Sequence, residues 1–460
     1  MGADDGGAGL ADRRTKSQTL RVSDPGSLMY ARAQMGISLA FHIVFAAVGV
    51  ALPALMVIAD VLHARTGDAT YLQLSKRLAK GTGILFAVGA VSGTVLSFEL
   101  GLLWPRFMGT FGEAIGLPFA LEGFAFFTEA IFLGIYLYGR GKVSPRWHLA
   151  SGIAVAISGA ASALFVTLVN AFMNNPAGVT VANGRPTFDP LAAMASPSAA
   201  HQVVHVLIAS YQATAWAMVG IHSLFLLRDP ARALHRKALR VALPVACVTA
   251  LIQPLSGDRS AKHIATEQPL KLAAVEAHLH TARGADLHAG GWPDLQTGEF
   301  HGAVAIPHGL SFLAFGDSDA VVTGLEAFPR GDWPPVIAVR TAFQVMVGAG
   351  SAMAALALAV VAWLIRKRRL PDGRPWLVAL ALAGPLGFVS LEAGWLVTEW
   401  GRQPWIVRGL MRTSDALTSF PYQAAPFWLF GVVYLLLGVA VAYLLARQIV
   451  HAHRAPVEKG

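Results

Sequence analysis

Cysteine is almost absent: the 460 residues include one, Cys247. A lone thiol excludes an internal disulfide, a Cys-ligated iron–sulfur cluster and a C-x-x-C-H haem attachment. Any cofactor must then be held by His, Met or carboxylate. Charge is scarce as well, at 14% of residues against 55% hydrophobic, and the mean hydropathy is +0.53. That is far from the composition of a soluble globular domain and reads as a polytopic membrane protein. Lys and Arg outnumber Asp and Glu by 36 to 27, but their arrangement matters more than the excess, because basic residues orient membrane segments. Nucleic acid is not the natural partner. The opening MGADDGGAGLADRRTKSQTLRVSDPGS lacks an apolar run, so it reads as neither a secretory signal nor an anchor, and residues 1–30 are expected to form a disordered tail.

What is abundant is long apolar sequence. Runs of about 20 apolar residues cross a bilayer, and nine occur, near 36–62, 83–103, 118–139, 148–172, 202–227, 238–256, 335–365, 376–398 and 424–447. The expected fold is therefore an all-α bundle of about nine transmembrane helices. Basic residues follow alternate spans: Arg65, Lys76, Arg77 and Lys80; Arg140, Lys142 and Arg146; Arg228, Arg232, Arg236, Lys237 and Arg240; and Arg366, Lys367, Arg368, Arg369 and Arg374. Those loops should be cytoplasmic, with the N-terminus outside and a cytoplasmic tail at 449–460. The segment 257–334 is polar, His-rich and dotted with Gly and Pro, and on this topology it lies outside. Loops of that length are usually functional or disordered. No internal repeat suggests an inverted-repeat transporter.

Ionisable groups inside spans are expensive, so each is a functional candidate weighed against an ordinary interhelical hydrogen bond. His42 lies in ISLAFHIVFAA on the first span, and AAHQVVHVLIASYQATA places His201 and His205 four apart on one helix face of the fifth. One of that pair suits a haem ligand while the other lies at the headgroups. Met346 in AFQVMVGAGSAM reaches a depth similar to His205, and Gly348 and Gly350 would let a flat macrocycle approach; a His/Met pair is a low-spin haem ligation. Five carboxylates complete the set: Glu99 ends the second span, Glu122 and Glu129 occupy the third, and Glu392 and Glu399 end the eighth. Seven residues are nearly two turns, so Glu122 and Glu129 share a face about 10 Å apart along the axis, as a proton relay requires.

These motifs resemble subunit I of the cytochrome bd-type quinol:oxygen oxidoreductases, especially the short-loop, cyanide-insensitive branch. The resemblance covers nearly the whole chain after about residue 30 and rests on LEAGWLVTEWGRQPW (391–405), QPLKLAAVEA (268–277) and FGEAIGLPFALEGFAFFTEA (111–130), with His42, VVHVLIASY and FQVMVGAG in the expected order. It implies three haems and no copper: a low-spin haem b with axial ligands His205 and Met346, and two high-spin haems on His42 and Glu392, one of b type and the other haem d or a further haem b. It implies quinol binding at Lys271 and Glu276, proton delivery by Glu122 and Glu129, and acidic positions Glu99 and Glu399 beside the same region. Ubiquinol or menaquinol would be oxidised at the outer face and O2 reduced to water with cytoplasmic protons and no pumping. A second membrane subunit, subunit II, is implied as partner, with a small single-span subunit and membrane lipid, in a bacterial inner membrane.

Three features depart from the family pattern. Gln344 stands where better-known members carry an arginine two residues before the haem methionine, which would lower the low-spin potential. The Glu122–Glu129 spacing is one residue shorter, and the external loop lacks the helical insertion. Among other readings, a haem-copper oxidase needs three clustered histidines including an adjacent pair, and the chain has no His-His dipeptide. A haem-b quinone oxidoreductase would place two histidines on each of two helices, and only the fifth span carries such a pair. A transporter needs midplane binding residues on broken helices, whereas these polar residues gather towards one surface.

Overall fold

The computed structural model describes residues 25–182, 185–419 and 424–454. Among them, nine helices are long and apolar enough to span a bilayer. In chain order the elements are α1 (Pro25–Thr66), α2 (Ala69–Leu103), α3 (Pro105–Gly139), α4 (Pro145–Asn174), the hairpin β1 (Val179–Ala182) and β2 (Arg185–Phe188), a turn of helix α5 (Pro190–Met194), α6 (Ala199–Arg228), α7 (Ala233–Glu267) and α8 (Pro269–Glu276). There follow β3 (Ala282–Arg283), β4 (Leu287–Pro293), β5 (Phe300–Ile306), α9 (Gly309–Phe315) and β6 (Val321–Val322), then α10 (Val336–Lys367), α11 (Arg374–Ala383), α12 (Leu386–Trp400), the short ribbon β7 (Trp405–Val407) and β8 (Met411–Arg412), α13 (Thr413–Ala416) and α14 (Ala424–Arg454).

Boundaries differ from the hydropathy reading in one direction: helices outrun their apolar runs. α1 already begins at Pro25, within the expected tail, α7 continues to Glu267, within the expected loop, and α14 reaches Arg454. Backbone hydrogen bonding carries a helix on through polar residues that hydropathy scores as loop. The remaining tail residues, 1–24 and 455–460, lie outside the described residues. The segment from 268 onward is ordered structure rather than a bare loop. β4 and β5 pair antiparallel from Leu287↔Ile306 to Pro293↔Phe300, and β3 pairs with β6.

The basic connections converge on one end. Lys237 reaches Asp68 at 2.5 Å, tying the α6–α7 side to the α1–α2 loop, and Arg140 reaches Asp60 at 3.1 Å. α6 is the hub, packing on α1, α4, α7, α11 and α12. Towards the basic end, the completely buried Trp216 sits in a core of Leu52, Leu55, Leu74, Leu243, Met353 and Leu380. Lipid supplies no hydrophobic drive between helices, so close backbone approach through small residues does much of the packing. A Cβ at Gly220 would sit 2.6 Å from Gly384 Cα, and one at Gly387 would sit 2.5 Å from Ala213 Cα. The eighth span breaks between α11 and α12 at this crossing, where Pro385 follows Gly384 and removes a helical donor.

Candidate functional site

Four side chains of ligand type stand on four helices of one packed group. His42 Nδ1 lies 2.9 Å from Ser92 Oγ, and Ser92 in turn donates to Val88 O at 2.9 Å. With the serine proton committed, the imidazole carries its own proton on Nδ1 and leaves the Nε2 lone pair available. His205 also meets a serine through Nδ1. Its Nδ1 is 3.2 Å from Ser256 Oγ, while Nε2 accepts from Gln253 Nε2 at 3.1 Å. His201, one turn outward, bonds Ser260 through Nδ1 at 3.1 Å, and its ring lies 4.4 Å from that of His263.

Met346 faces α12: its carbonyl accepts from Ser390 Oγ at 3.1 Å, and a Cβ at Gly394 would come within 3.1 Å of its sulfur. Glu392, between these two residues on α12, keeps a buried oxygen, Oε1, without a partner. Ile43 and Ala47 of α1, Ala213 of α6 and Leu391 of α12 form one cluster, with Leu39, Ala209, Phe388 and Trp395 against it. That cluster holds together the helices bearing His42, His205 and Glu392.

The acidic residues divide into three settings. Glu99 is fully buried and accepts from Gln34 Nε2 at 3.0 Å. Glu122 accepts from Ser162 Oγ at 3.0 Å, and Glu129 enters a slot between α1 and α4 that two glycines make: a Cβ at Gly159 would lie 3.3 Å from both Glu129 Oε1 and Gly49 O. Both glutamates thus face α4, as their spacing requires. Glu399 is gripped from two sides, by Asn170 Nδ2 and by Arg402 Nη2, each at 2.5 Å.

The α3 face continues further than sequence reasoning took it. Seven residues beyond Glu129, Tyr136 donates to Asp60, accepts from Ser75 Oγ at 2.9 Å, and packs beside His148 and Arg140. Asp60 is an acid inside the first apolar run, a signal that was open to notice.

Lys271 and Glu276 occupy α8, at the end opposite the basic loops, and both are buried. Lys271 Nζ donates to Asn174 Oδ1 at 3.0 Å and to Thr398 O at 3.2 Å. Asn174 donates to Asn170 Oδ1 at 2.9 Å, and Asn170 donates to Glu399, so an unbroken chain of hydrogen bonds joins Lys271 to Glu399. Burial lowers the Lys271 ammonium to about 7, helped by Arg402, and raises the Glu276 carboxyl to about 7 despite Arg340. Arg340 anchors the whole segment. It donates to Glu276 O at 2.8 Å, His288 O at 2.7 Å and Gly290 O at 3.0 Å, and lies 4.7 Å over the Phe300 ring. Sequence reasoning missed Asn170, Asn174, Arg340 and Arg402. Gln344 receives Gly290 N–H at 3.0 Å, so it fastens the same hairpin.

Comparison with known proteins gives the chain a family. The family model for cytochrome bd terminal oxidase subunit I matches residues 30–453. The Bacillus subtilis (strain 168) protein named "Putative cytochrome bd menaquinol oxidase subunit I" is 36% identical over 91% of this chain and 95% of its own. The cytochrome bd ubiquinol oxidase subunit 1 of the same strain is 29% identical over 92% and 93%. The solved bd oxidase from Geobacillus thermodenitrificans superposes with a TM-score of 0.86 at 38% identity, covering 94% of this chain and 99% of that one. A bundle with nine candidate membrane spans among the described residues therefore has its family: the chain belongs to the cytochrome bd terminal oxidase subunit I family of respiratory oxidoreductases.

Proposed function

We propose that this chain oxidises a membrane quinol at its α8 end and directs the electrons to O2, which is reduced to water, working in complex with a subunit II and in a bacterial inner membrane. The observation that carries this reading is the shared setting of His42 and His205, each held through Nδ1 by a serine, with Nε2 left open in His42 and met only by the Gln253 amide in His205.

The donor set fits haem iron: two imidazoles, a thioether and a carboxylate, with no thiolate required. His205 and Met346 would hold a low-spin haem b, and His42 and Glu392 the two high-spin haems, one of them haem d or a further haem b. Bound haem supplies the one-electron steps and the O2 chemistry. The unpartnered Glu392 Oε1 supports its place as ligand. A second reading has a specific observation behind it. Ligating carboxylates are themselves held by hydrogen bonds, and on α12 it is Glu399 that is so held, by Asn170 and Arg402.

The chain's own residues divide the remaining work. Lys271 and Glu276 receive the quinol headgroup, the lysine donating to one ring oxygen and the carboxylate taking a proton released outward. Asn174 and Thr398 keep the lysine on the headgroup side of α8. Glu122 and Glu129 hold protons drawn from the basic, cytoplasmic end, and Glu99 flanks them; uptake on one side and release on the other makes turnover electrogenic without pumping. A small single-span subunit and membrane lipid complete the assembly.

The experiment is a reduced-minus-oxidised visible spectrum of the chain co-expressed with its subunit II. Haem b bands are expected, with a far-red chlorin band if haem d is present. A well-folded but colourless complex would overturn the oxidase reading in favour of a transporter. Comparing Glu392→Gln with Glu399→Gln separates the two ligand readings, because only loss of the true ligand removes a high-spin signal.

A further inference from the structure

At the basic end of the bundle, far from α8, a cleft of about 450 Å3 opens between the α6–α7 turn, the end of α10 and the start of α11. Its floor is apolar, made of Leu226, Leu239, Leu364 and Leu377, all part of the core around Trp216. Its rim is cationic: Arg236, Arg240, Arg368 and Arg369 face a single acid, Asp372. Two of the arginines are engaged within the chain, Arg369 with Asp372 at 3.4 Å and Arg236 with Pro230 O at 2.8 Å. Among the described residues, the guanidinium groups of Arg240 and Arg368 make no hydrogen bond or ion pair.

Arg368 holds this position in a conformation that L residues rarely adopt. It caps α10 at φ +52°, in the left-handed region where glycine is the usual occupant. Strain of this kind directs attention to the side chain that is kept there.

Depth and shape identify the occupant. Trp363 and Trp376, whose rings are 5.4 Å apart, stand on α10 and α11 beside the cleft, and tryptophan collects at headgroup level. Ile365 on α10 and Leu382 on α11, 73% and 70% exposed, offer further apolar surface on the same two helices. We propose that this cleft binds an anionic phospholipid, its phosphodiester held by Arg240 and Arg368 and its acyl chains laid from the leucine floor along Ile365 and Leu382. Planar guanidinium forks suit phosphate oxygens, and basic pockets between helices on the cytoplasmic side are where such headgroups settle. A soluble anion would use the rim but leave the floor and flank uncovered. The proposal concerns none of the residues assigned to electron or proton transfer.

The test uses the complete complex with subunit II, delipidated and reconstituted in nanodiscs of phosphatidylcholine with a minor fraction of phosphatidylglycerol, and counts retained lipid by native mass spectrometry. The wild type should keep one phosphatidylglycerol more per complex than Arg240→Gln/Arg368→Gln, with identical haem bands in both. The Arg240→Lys/Arg368→Lys variant should recover at least part of the retention. Equal retention in the Gln variant would overturn the proposal. So would displacement of the lipid by inorganic phosphate at matched concentration, which would make the site one for a free anion. Loss of subunit II from the Gln variant would assign the surface to the partner protein instead.

Discussion

Arg340→Met isolates the device that docks the α8 segment on the bundle. The arginine side chain is 3% exposed and ties α10 to three backbone carbonyls in two separate pieces of chain, Glu276 on α8 and His288 and Gly290 on the β4 strand. Hydrogen bonds from a charged donor are worth roughly 1.5–3 kcal/mol each, and breaking one partner out of a buried ion pair costs about 3–5 kcal/mol. These contributions overlap, since the Glu276 carboxylate 3.6 Å away can take up a proton when left alone. Methionine also preserves part of the packing on Phe300. A net loss of about 4 kcal/mol in docking the hairpin is expected, close to 10³-fold in its opening equilibrium. Hydrogen exchange of the β4 and β5 amides reads this directly, while the haem bands stay unchanged, because Arg340 bonds none of the proposed haem ligands. Protection reduced by less than tenfold would refute the clamp, and a collapse of all protection would show that Arg340 holds the whole fold rather than this segment.

Quinol oxidation should follow a bell-shaped pH profile centred near 7, because Glu276 must be ionised to accept a proton and Lys271 protonated to donate. The acid limb rises through about pH 7 and the alkaline limb falls above it; Glu276→Gln should flatten the first and Lys271→Met the second, measured as kcat/KM for quinol. Glu129→Gln should leave quinol-driven reduction of the low-spin haem intact in stopped flow, yet slow O2 consumption by about 10²-fold; equal slowing of both phases would remove Glu129 from the proton path. Gly401→Ala puts a Cβ 2.7 Å from Lys271 Cε and 2.4 Å from Val397 O. It should raise the quinol KM by about tenfold with unchanged haem bands, an effect of roughly 1.4 kcal/mol; an unchanged KM would mean that Lys271 does not contact the headgroup.

The legible part of this protein was the part written in spacing. Nine apolar runs correspond to nine candidate spans among the described residues, and a seven-residue interval put Glu122 and Glu129 on one face towards α4. The illegible part consists of polar residues whose meaning depends on distant partners. Asn170 and Asn174 look ordinary at the end of a span, and only the fold brings them to Glu399 and Lys271. Arg340 resembles a headgroup anchor at a helix start, but is buried because the segment before it folds back over α10. The hairpin β4–β5 was hidden because glycine, histidine and alanine give no clear alternation of apolar and polar residues.

The crossing of Gly220 on Gly384 and of Gly387 on Ala213 has a consequence for how the chain can change in length. α12 is only a few turns long and is pinned at its start by backbone touching backbone. Every position on α12 named above, Ser390, Glu392, Gly394 and Glu399, is measured from that pin. One residue inserted between Gly387 and Ser390 would turn all of them by about 100° around the helix together, carrying Gly394 off Met346 and Glu399 off Asn170 in a single step. One residue added to the 370–373 connection, outside both contacts, would be absorbed before the pin and leave the same positions where they are. The break in the eighth span thus serves as an origin of coordinates, protecting the spacing of these side chains from variation at the opposite surface.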